Sequence, residues 1–330
     1  MPEGSVSDAA VPDAAVSDAA VSRGTAAHRS DRVDRDALLI DPAGLQALLR
    51  AEARLPPGAP RTRVLDVRWT LAQPDGRPAY REGHLPGAVY VDLDTELSMH
   101  GPATAGRHPL PDGDTLTAAA RRWGLRPGDA VVAYDGGGNF AAARLWWLLR
   151  DAGVDRVRLL DGALPAWVTA GLPLEQGDAD PAPGTVELRP GRLPRIELED
   201  AAAFALEHLL LDVRATERYA GRQEPIDPRA GHIPGARNLP TGGNLDDDGW
   251  FLPVEELRRR FATAGTKPGT ETGEEHGPGT RIGAYCGSGI TASHTVFALA
   301  LAGREGALFP GSWSQWANHP ELPVATGEAP

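Results

Sequence analysis

Cysteine is nearly absent from this chain: its 330 residues include one, Cys286, and two methionines. A single cysteine excludes an intramolecular disulfide, a multi-cysteine zinc site and a self-contained Cys-x-x-Cys redox pair. Lysine is as scarce, Lys267 being the one lysine among 33 basic residues. Schiff-base and P-loop lysine chemistry therefore have almost no candidates. Any anion site must rely on arginine, whose planar fork suits carboxylates. No uncharged apolar run reaches the ~18 residues of a membrane-spanning helix. The N-terminus lacks the basic start and apolar core of a secretory signal, so no membrane partner is expected and a cytoplasmic location is the default. The net charge of −12 argues against a nucleic-acid partner, because neutralising phosphates needs clustered Lys and Arg. The nine histidines are scattered without ligand spacing, so neither a metal nor a cofactor is expected.

What is present is a duplication. The length suits about two domains, and 41% hydrophobic residues suffice for cores. Leu65-Asp66-Val67-Arg68 recurs as Leu211-Asp212-Val213-Arg214. Gly83-His84-Leu85-Pro86-Gly87-Ala88 recurs as Gly231-His232-Ile233-Pro234-Gly235-Ala236, and Ala133-Tyr134-Asp135-Gly136 as Ala284-Tyr285-Cys286-Gly287. Trp167 likewise matches Trp316. Four ordered signatures at a steady offset of about 150 residues make the chain two copies of one domain. The expected organisation is a disordered acidic tail over 1–34, a first domain over 35–173, a linker over 174–195 and a second domain over 196–330. The tail carries a five-residue repeat starting at Val6, Val11 and Val16, too poor in apolar area to offset its ordering entropy.

Each copy alternates short apolar runs with helical patterns, which points to a mostly parallel α/β sheet covered by helices. In the second copy, Leu209–Val213 and Arg281–Tyr285 read as strands, and Pro253–Ala264 and Thr291–Ala302 as helices. The Gly-rich stretch from Gly265 to Thr280 reads as a mobile surface loop.

The lone cysteine sits between strand and helix in Ala284-Tyr285-Cys286-Gly287-Ser288-Gly289-Ile290-Thr291-Ala292. Backbone N–H groups at a helix start lack intrahelical partners and converge with the positive end of the dipole. Glycines 287 and 289 let the backbone curl round the sulfur, so a thiolate, a persulfide or an oxyanion would be held there. A lone cysteine is more often a small buried hydrophobe, but the glycine-flanked corner favours the reactive reading. Cysteine phosphatases need Cys-x5-Arg, and the corresponding residue is Ala292. The Gly-x-Ser-x-Gly elbow fails at Cys286 and Ile290. A dinucleotide fingerprint, Gly136-x-Gly138-x-x-Ala141 with Asp161 about 20 residues on, is a more serious decoy. Its copy at Gly287 has no acidic residue following, and a cysteine in the mouth of a cofactor loop suits a dehydrogenase poorly.

Taken together, the Asp-Val-Arg strand ends, the paired Gly-His-[Leu/Ile]-Pro-Gly-Ala turns and the Cys286 loop resemble the tandem-domain rhodanese-type sulfurtransferases over about residues 35 to 322. The resemblance implies a five-stranded parallel sheet in each half and a catalytic cysteine in the second half only. Asp135 stands at the first-half position and cannot accept sulfane sulfur, so that half should be catalytically silent. The implied reaction is ping-pong: the Cys286 thiolate takes sulfur from a small donor as a persulfide. A thiol, a thioredoxin-like protein or cyanide then accepts it.

Backbone amides of Gly287, Gly289, Ile290 and Thr291 should stabilise the sulfur anion in each half-reaction. Thiosulfate-preferring relatives usually carry basic residues just after the cysteine. Cys-Gly-Ser-Gly-[Val/Ile]-Thr resembles the 3-mercaptopyruvate sulfurtransferases instead, so mercaptopyruvate is the expected donor and thiosulfate the alternative. The resemblance gives Arg218, in Thr216-Glu217-Arg218-Tyr219-Ala220-Gly221, as a partner for the donor carboxylate. Arg229 is a second candidate at a less regular spacing. Ser288 could relay a proton to the pyruvate enolate or simply cap the helix. His84 could approach from the first half, whereas His232 should only hold its own turn, and Asp66 and Asp212 should bond nearby backbone. A rival of another class is a persulfide carrier with little turnover of small donors.

Overall fold

The computed structural model describes residues 35–265 and 280–330. The expectations of a disordered tail over 1–34 and of a mobile loop within Gly265–Thr280 fall on residues outside those ranges. Strands β1 (Leu39–Ile40), β2 (Thr62–Asp66), β3 (Val89–Tyr90), β4 (Ala130–Tyr134) and β5 (Val157–Leu160) form one sheet, ordered β1-β5-β4-β2-β3. Strands β6 (Leu209–Asp212), β7 (Arg237–Asn238), β8 (Ile282–Tyr285) and β9 (Gly306–Leu308) form a second, ordered β7-β6-β8-β9. Every pairing is parallel. Both central strands, β4 and β8, are buried at every residue, as parallel strands covered on both faces must be.

The second sheet departs from the expected five strands. Where β1 flanks β5 in the first half, only an isolated bridge from Arg195 to Leu308 flanks β9. The preceding residue, Pro194, accepts a hydrogen bond from Leu308 N but has no N–H to give back, so the ladder stops after one rung.

The repeated motifs fold as twins. Asp66 accepts the backbone N–H and guanidinium of Arg68, and Asp212 accepts those of Arg214. The Tyr134 and Tyr285 hydroxyls each accept an amide from the Gly-His turn, Leu85 N and Ile233 N, both at 3.1 Å. The Trp167 and Trp316 indoles each donate to a proline carbonyl at 2.9 Å. Residues after β5, from Pro173 to Arg195, form no regular element, yet they lie along the first half with Val186 and Leu188 buried.

The halves meet through corresponding helices. Ala142–Asp151, which follows the Asp135 loop, packs on Ile290–Leu301, which follows the Cys286 loop, with Trp146 edge-on to Phe297 at 4.9 Å. Ile290–Leu301 is buried on nearly all sides, as a helix apolar all round requires. His294 on it lies between Phe140 and Phe251. This packing brings the two loops at the helix starts close together, so the first half can reach the cysteine. Among the described residues, no helix is long and apolar enough to cross a membrane.

Candidate active site

Cys286 follows the last residue of β8 and is 2% exposed. Its loop is pinned from below by the turn after β9. Cys286 N donates to Ser312 Oγ at 3.1 Å, Trp313 N to Cys286 O at 3.0 Å, and Ser314 N to Gly287 O at 2.8 Å. Gly289 takes φ of 81°, and a Cβ there would collide with the Pro310 carbonyl oxygen. In that conformation its amide donates to Cys286 Sγ at 3.1 Å. Ile290 opens the helix with its side chain buried, and Thr291 O accepts from Thr241 Oγ1 at 3.4 Å. Of the loop amides expected to face the sulfur, that of Gly289 makes the contact.

Ser288 is buried, and its Oγ lies 2.8 Å from His108 Nδ1. The other ring nitrogen of His108 is 3.6 Å from Asp94 Oδ1, which accepts the Trp69 indole N–H at 3.1 Å. The Trp69 ring stands perpendicular to the imidazole, 5.4 Å between centroids. Burial, reinforced by the Arg144 and Arg107 charges, pushes His108 down to about 4, so its imidazole is neutral at pH 7. Burial also raises the Asp94 carboxyl. A hydroxyl hydrogen-bonded to a neutral imidazole, with a carboxylate 3.6 Å from the other ring nitrogen, can take up a proton and return it.

Two arginines flank Gly287, one from each half. A Cβ on Gly287 would stand 3.4 Å from Arg218 Nη1 and 3.7 Å from Arg107 Nη1. Both side chains are held from behind by buried carboxylates. Arg218 Nη2 meets Glu224 at 2.6 Å and Asp227 at 3.1 Å, while Arg107 Nη2 meets the other Asp227 oxygen at 2.6 Å. These contacts run through Nε and Nη2, which leaves the two Nη1 groups beside Gly287 for an anion.

Two expected site residues lie elsewhere. His84 is buried in its own turn: Nδ1 meets Tyr80 O at 3.0 Å, and the ring stacks on Tyr80 at 4.0 Å. Its twin His232 does the same with Tyr219, so both turn histidines are structural. The histidine at the Cys286 loop is His108. Arg229 spends its guanidinium on four backbone carbonyls, those of Trp316, Ala317, His319 and Leu322, at 2.7–3.0 Å. The second arginine beside the loop is therefore Arg107. Neither His108 nor Arg107 belongs to a repeated motif. The available signal was their place in an unrepeated polar loop, Gly106-Arg107-His108-Pro109, of the half that lacks a cysteine.

The first-half loop is closed on itself. The Asp135 carboxylate accepts the amides of Gly137, Asn139, Ala141 and Ala142 at 2.9–3.3 Å, filling the cradle that an anion would use. Burial pushes this carboxyl up to about 6 against the pull of those amides. Asp161, the acid of the dinucleotide pattern, pairs with Arg35 at 2.8 Å and accepts Phe251 N at 3.1 Å. It is thereby committed to joining the two halves. Among the described residues, no group of His, Cys, Asp and Glu is arranged to hold a metal.

The Rhodanese-like domain family matches the chain twice, over residues 49–170 and 197–319. SseB of Mycobacterium tuberculosis, whose name provisionally gives thiosulfate sulfurtransferase, is 44% identical over 300 residues, spanning 89% of this chain and 99% of that protein. A Pseudomonas aeruginosa protein, provisionally named a 3-mercaptopyruvate sulfurtransferase, is 44% identical over 274 residues, spanning 80% and 92%. In the solved structure of Escherichia coli SseA, titled as a 3-mercaptopyruvate sulfotransferase of rhodanese fold, the match has a TM-score of 0.70 at 28% identity. It covers 83% of this chain and 98% of that one.

Proposed function

The chain belongs to the rhodanese-like family of tandem-domain sulfurtransferases, and from that membership we propose that it moves sulfane sulfur from 3-mercaptopyruvate to a thiol or cyanide through a persulfide on Cys286. The acceptor in a cytoplasmic setting is a thioredoxin-like protein or a small thiol. The observation that carries the donor assignment is the contact between Ser288 and His108. When the thiolate attacks the donor sulfur, an S–S bond forms and the S–C bond breaks, leaving the pyruvate enolate. The donor's thiol proton is lost as the persulfide ionises, and the enolate needs one. Ser288 can pass that proton to neutral His108 and return it, with Asp94 facing the imidazolium formed in between. The Nη1 groups of Arg107 and Arg218 hold the donor carboxylate.

A second reading rests on those same arginines. They suit the sulfonate of thiosulfate equally well, and sulfite leaves without needing a proton. Steady-state kinetics with both donors separates the two. A higher kcat/KM for 3-mercaptopyruvate is expected, and an equal or higher value for thiosulfate overturns the donor assignment. The Cys286→Ser variant should lose transfer from either donor while keeping its fold. Intact-mass measurement after exposure to donor should find one added sulfur on Cys286. Its absence would sink both readings.

A further inference from the structure

The first half has a second concave end, away from the cysteine. The Cys286 loop follows β8 and its silent counterpart follows β4, whereas a cavity of about 540 Å³ opens where β4 and β5 begin, beside Asp129 and Arg156. That volume lies within the range of small-molecule sites. One wall is the segment that joins the halves, and it is tied down along its length. Thr185 N donates to Leu125 O at 3.0 Å and Leu188 N to Thr117 Oγ1 at 3.2 Å. Gly191 N and Leu193 N donate to the buried Asp151 carboxylate at 3.1 and 2.9 Å. Buried Leu125, Val186 and Leu188 give the cavity an apolar floor.

Four arginines line it: Arg126, Arg156, Arg189 and Arg192. Among the described residues none of the four forms an ion pair, because each acid in the lining faces an arginine outside it. Asp129 meets Arg63 at 3.0 Å, Asp155 meets Arg150 at 3.8 Å, and Glu187 meets Arg121 at 3.9 Å. Arg126 Nε is buried and has no hydrogen-bond partner among the described residues. On a chain of net charge −12 this hollow is a positive island. Unpaired cations around one concavity repel one another, and a bound anion relieves that repulsion. The duplication supplies an internal comparison. At the matching end of the second sheet the cavity is about 280 Å³, and Glu305 stands in its lining with two arginines, Arg281 and Arg304. Arg281 is spent there on the Phe204 ring, 5.3 Å from its centroid. The fold itself therefore does not call for the four arginines of the first half.

We propose that this cavity is a binding site for a polyanionic small molecule, separate from the sulfur-transfer site. A guanidinium fork binds phosphate or carboxylate through two parallel hydrogen bonds. Four such forks exceed what one monoanion can engage, so the ligand carries two or more of these groups. A polyphosphate chain, with or without a nucleoside, and a polycarboxylate share that chemistry. The apolar floor accepts an uncharged portion such as a nucleobase. The cavity does not include Cys286, so the assignment stands apart from the choice of sulfur donor.

Calorimetric titration of the full chain with tripolyphosphate, ATP, citrate and orthophosphate tests this. One tripolyphosphate should bind per chain, at least about tenfold more tightly than orthophosphate. Its Kd should rise between about 0.05 and 0.5 M NaCl, as salt screens the arginines. Arg156→Glu combined with Arg189→Glu should weaken tripolyphosphate about tenfold or more. Both side chains are exposed, so the urea midpoint and the turnover of that variant should stay at the parent values. Arg281→Glu combined with Arg304→Glu, at the smaller cavity, changes the net charge equally and should weaken binding far less. ATP binding more tightly than tripolyphosphate supports the site and assigns a nucleotide, and citrate binding more tightly supports it and assigns a polycarboxylate. No saturable binding of any polyanion below about 1 mM overturns the proposal. So does binding that survives the Arg156 and Arg189 reversals, an equal loss at the smaller cavity, or orthophosphate bound as tightly as tripolyphosphate.

Discussion

The arginines near Cys286 differ in what already holds them, and that difference predicts their roles. Arg229 is consumed by four carbonyls, whereas Arg107 and Arg218 keep a nitrogen turned toward Gly287. Arg229→Ala should therefore cost about 2 kcal/mol of stability in urea titration, through acceptors left unpaired. Its kcat/KM per folded molecule should be unchanged. A folded variant with normal stability and a raised KM for 3-mercaptopyruvate would contradict this. At His108 the expected asymmetry is between donors. His108→Ala should lower kcat with 3-mercaptopyruvate about 10²-fold, the usual scale of acid–base assistance. Transfer from thiosulfate, whose leaving group needs no proton, should change by only a few-fold. Equal losses for both donors would remove the proton relay from the mechanism. Arg218 could be named from its motif because its neighbours recur in the family pattern. His108 and Arg107 could not, because nothing local marks which loop of one domain reaches into another.

At the scale of the element, the Cys286 loop works because its backbone is forced into one shape. Gly289 lies in the left-handed region against Pro310, and only there does its amide meet the sulfur. Gly289→Ala should lose about 2 kcal/mol or more from strain and collision. Sulfur transfer should be lost with it, as urea unfolding and turnover measured together would show. A fully active, fully stable variant would mean that the loop geometry is not needed. The first-half loop shares the left-handed glycine, Gly138, but turns once more at Asn139 and closes round a carboxylate, so it is filled and not simply lacking a nucleophile. The letters of the two loops made their kinship plain, since glycine at a left-handed position and a strand-to-helix corner are local properties. The missing edge strand of the second sheet was less apparent. It turns on whether a linker proline can complete a ladder rung, which depends on where the linker runs.

Two buried histidines, His108 at the Cys286 loop and His294 on the helix that packs across the halves, set the response to acid. Burial pushes His294 down to about 3 and His108 to about 4. Below pH 6.5 the unfolded chain binds protons that the folded chain refuses, so stability falls as pH drops. Asp135 acts in the opposite sense: raised to about 6, it binds its proton more readily in the folded chain and loses that contribution as pH rises through 6. The net expectation is a loss of about 2 kcal/mol between pH 7 and pH 5, read by urea denaturation at each pH. His294→Phe should flatten that slope, and an unchanged slope would show that His294 titrates normally. The sequence by itself determined the duplication, the parallel α/β class, the single nucleophile and its glycine-bound corner. Each of these is written in short-range patterns of polarity, turn chemistry and repetition. Only the tertiary structure decided that the first half places His108, Arg107 and Arg144 beside the Cys286 loop. Residues about 140–180 positions from Cys286 meet it because two buried helices pack across the halves, and no local pattern encodes that contact.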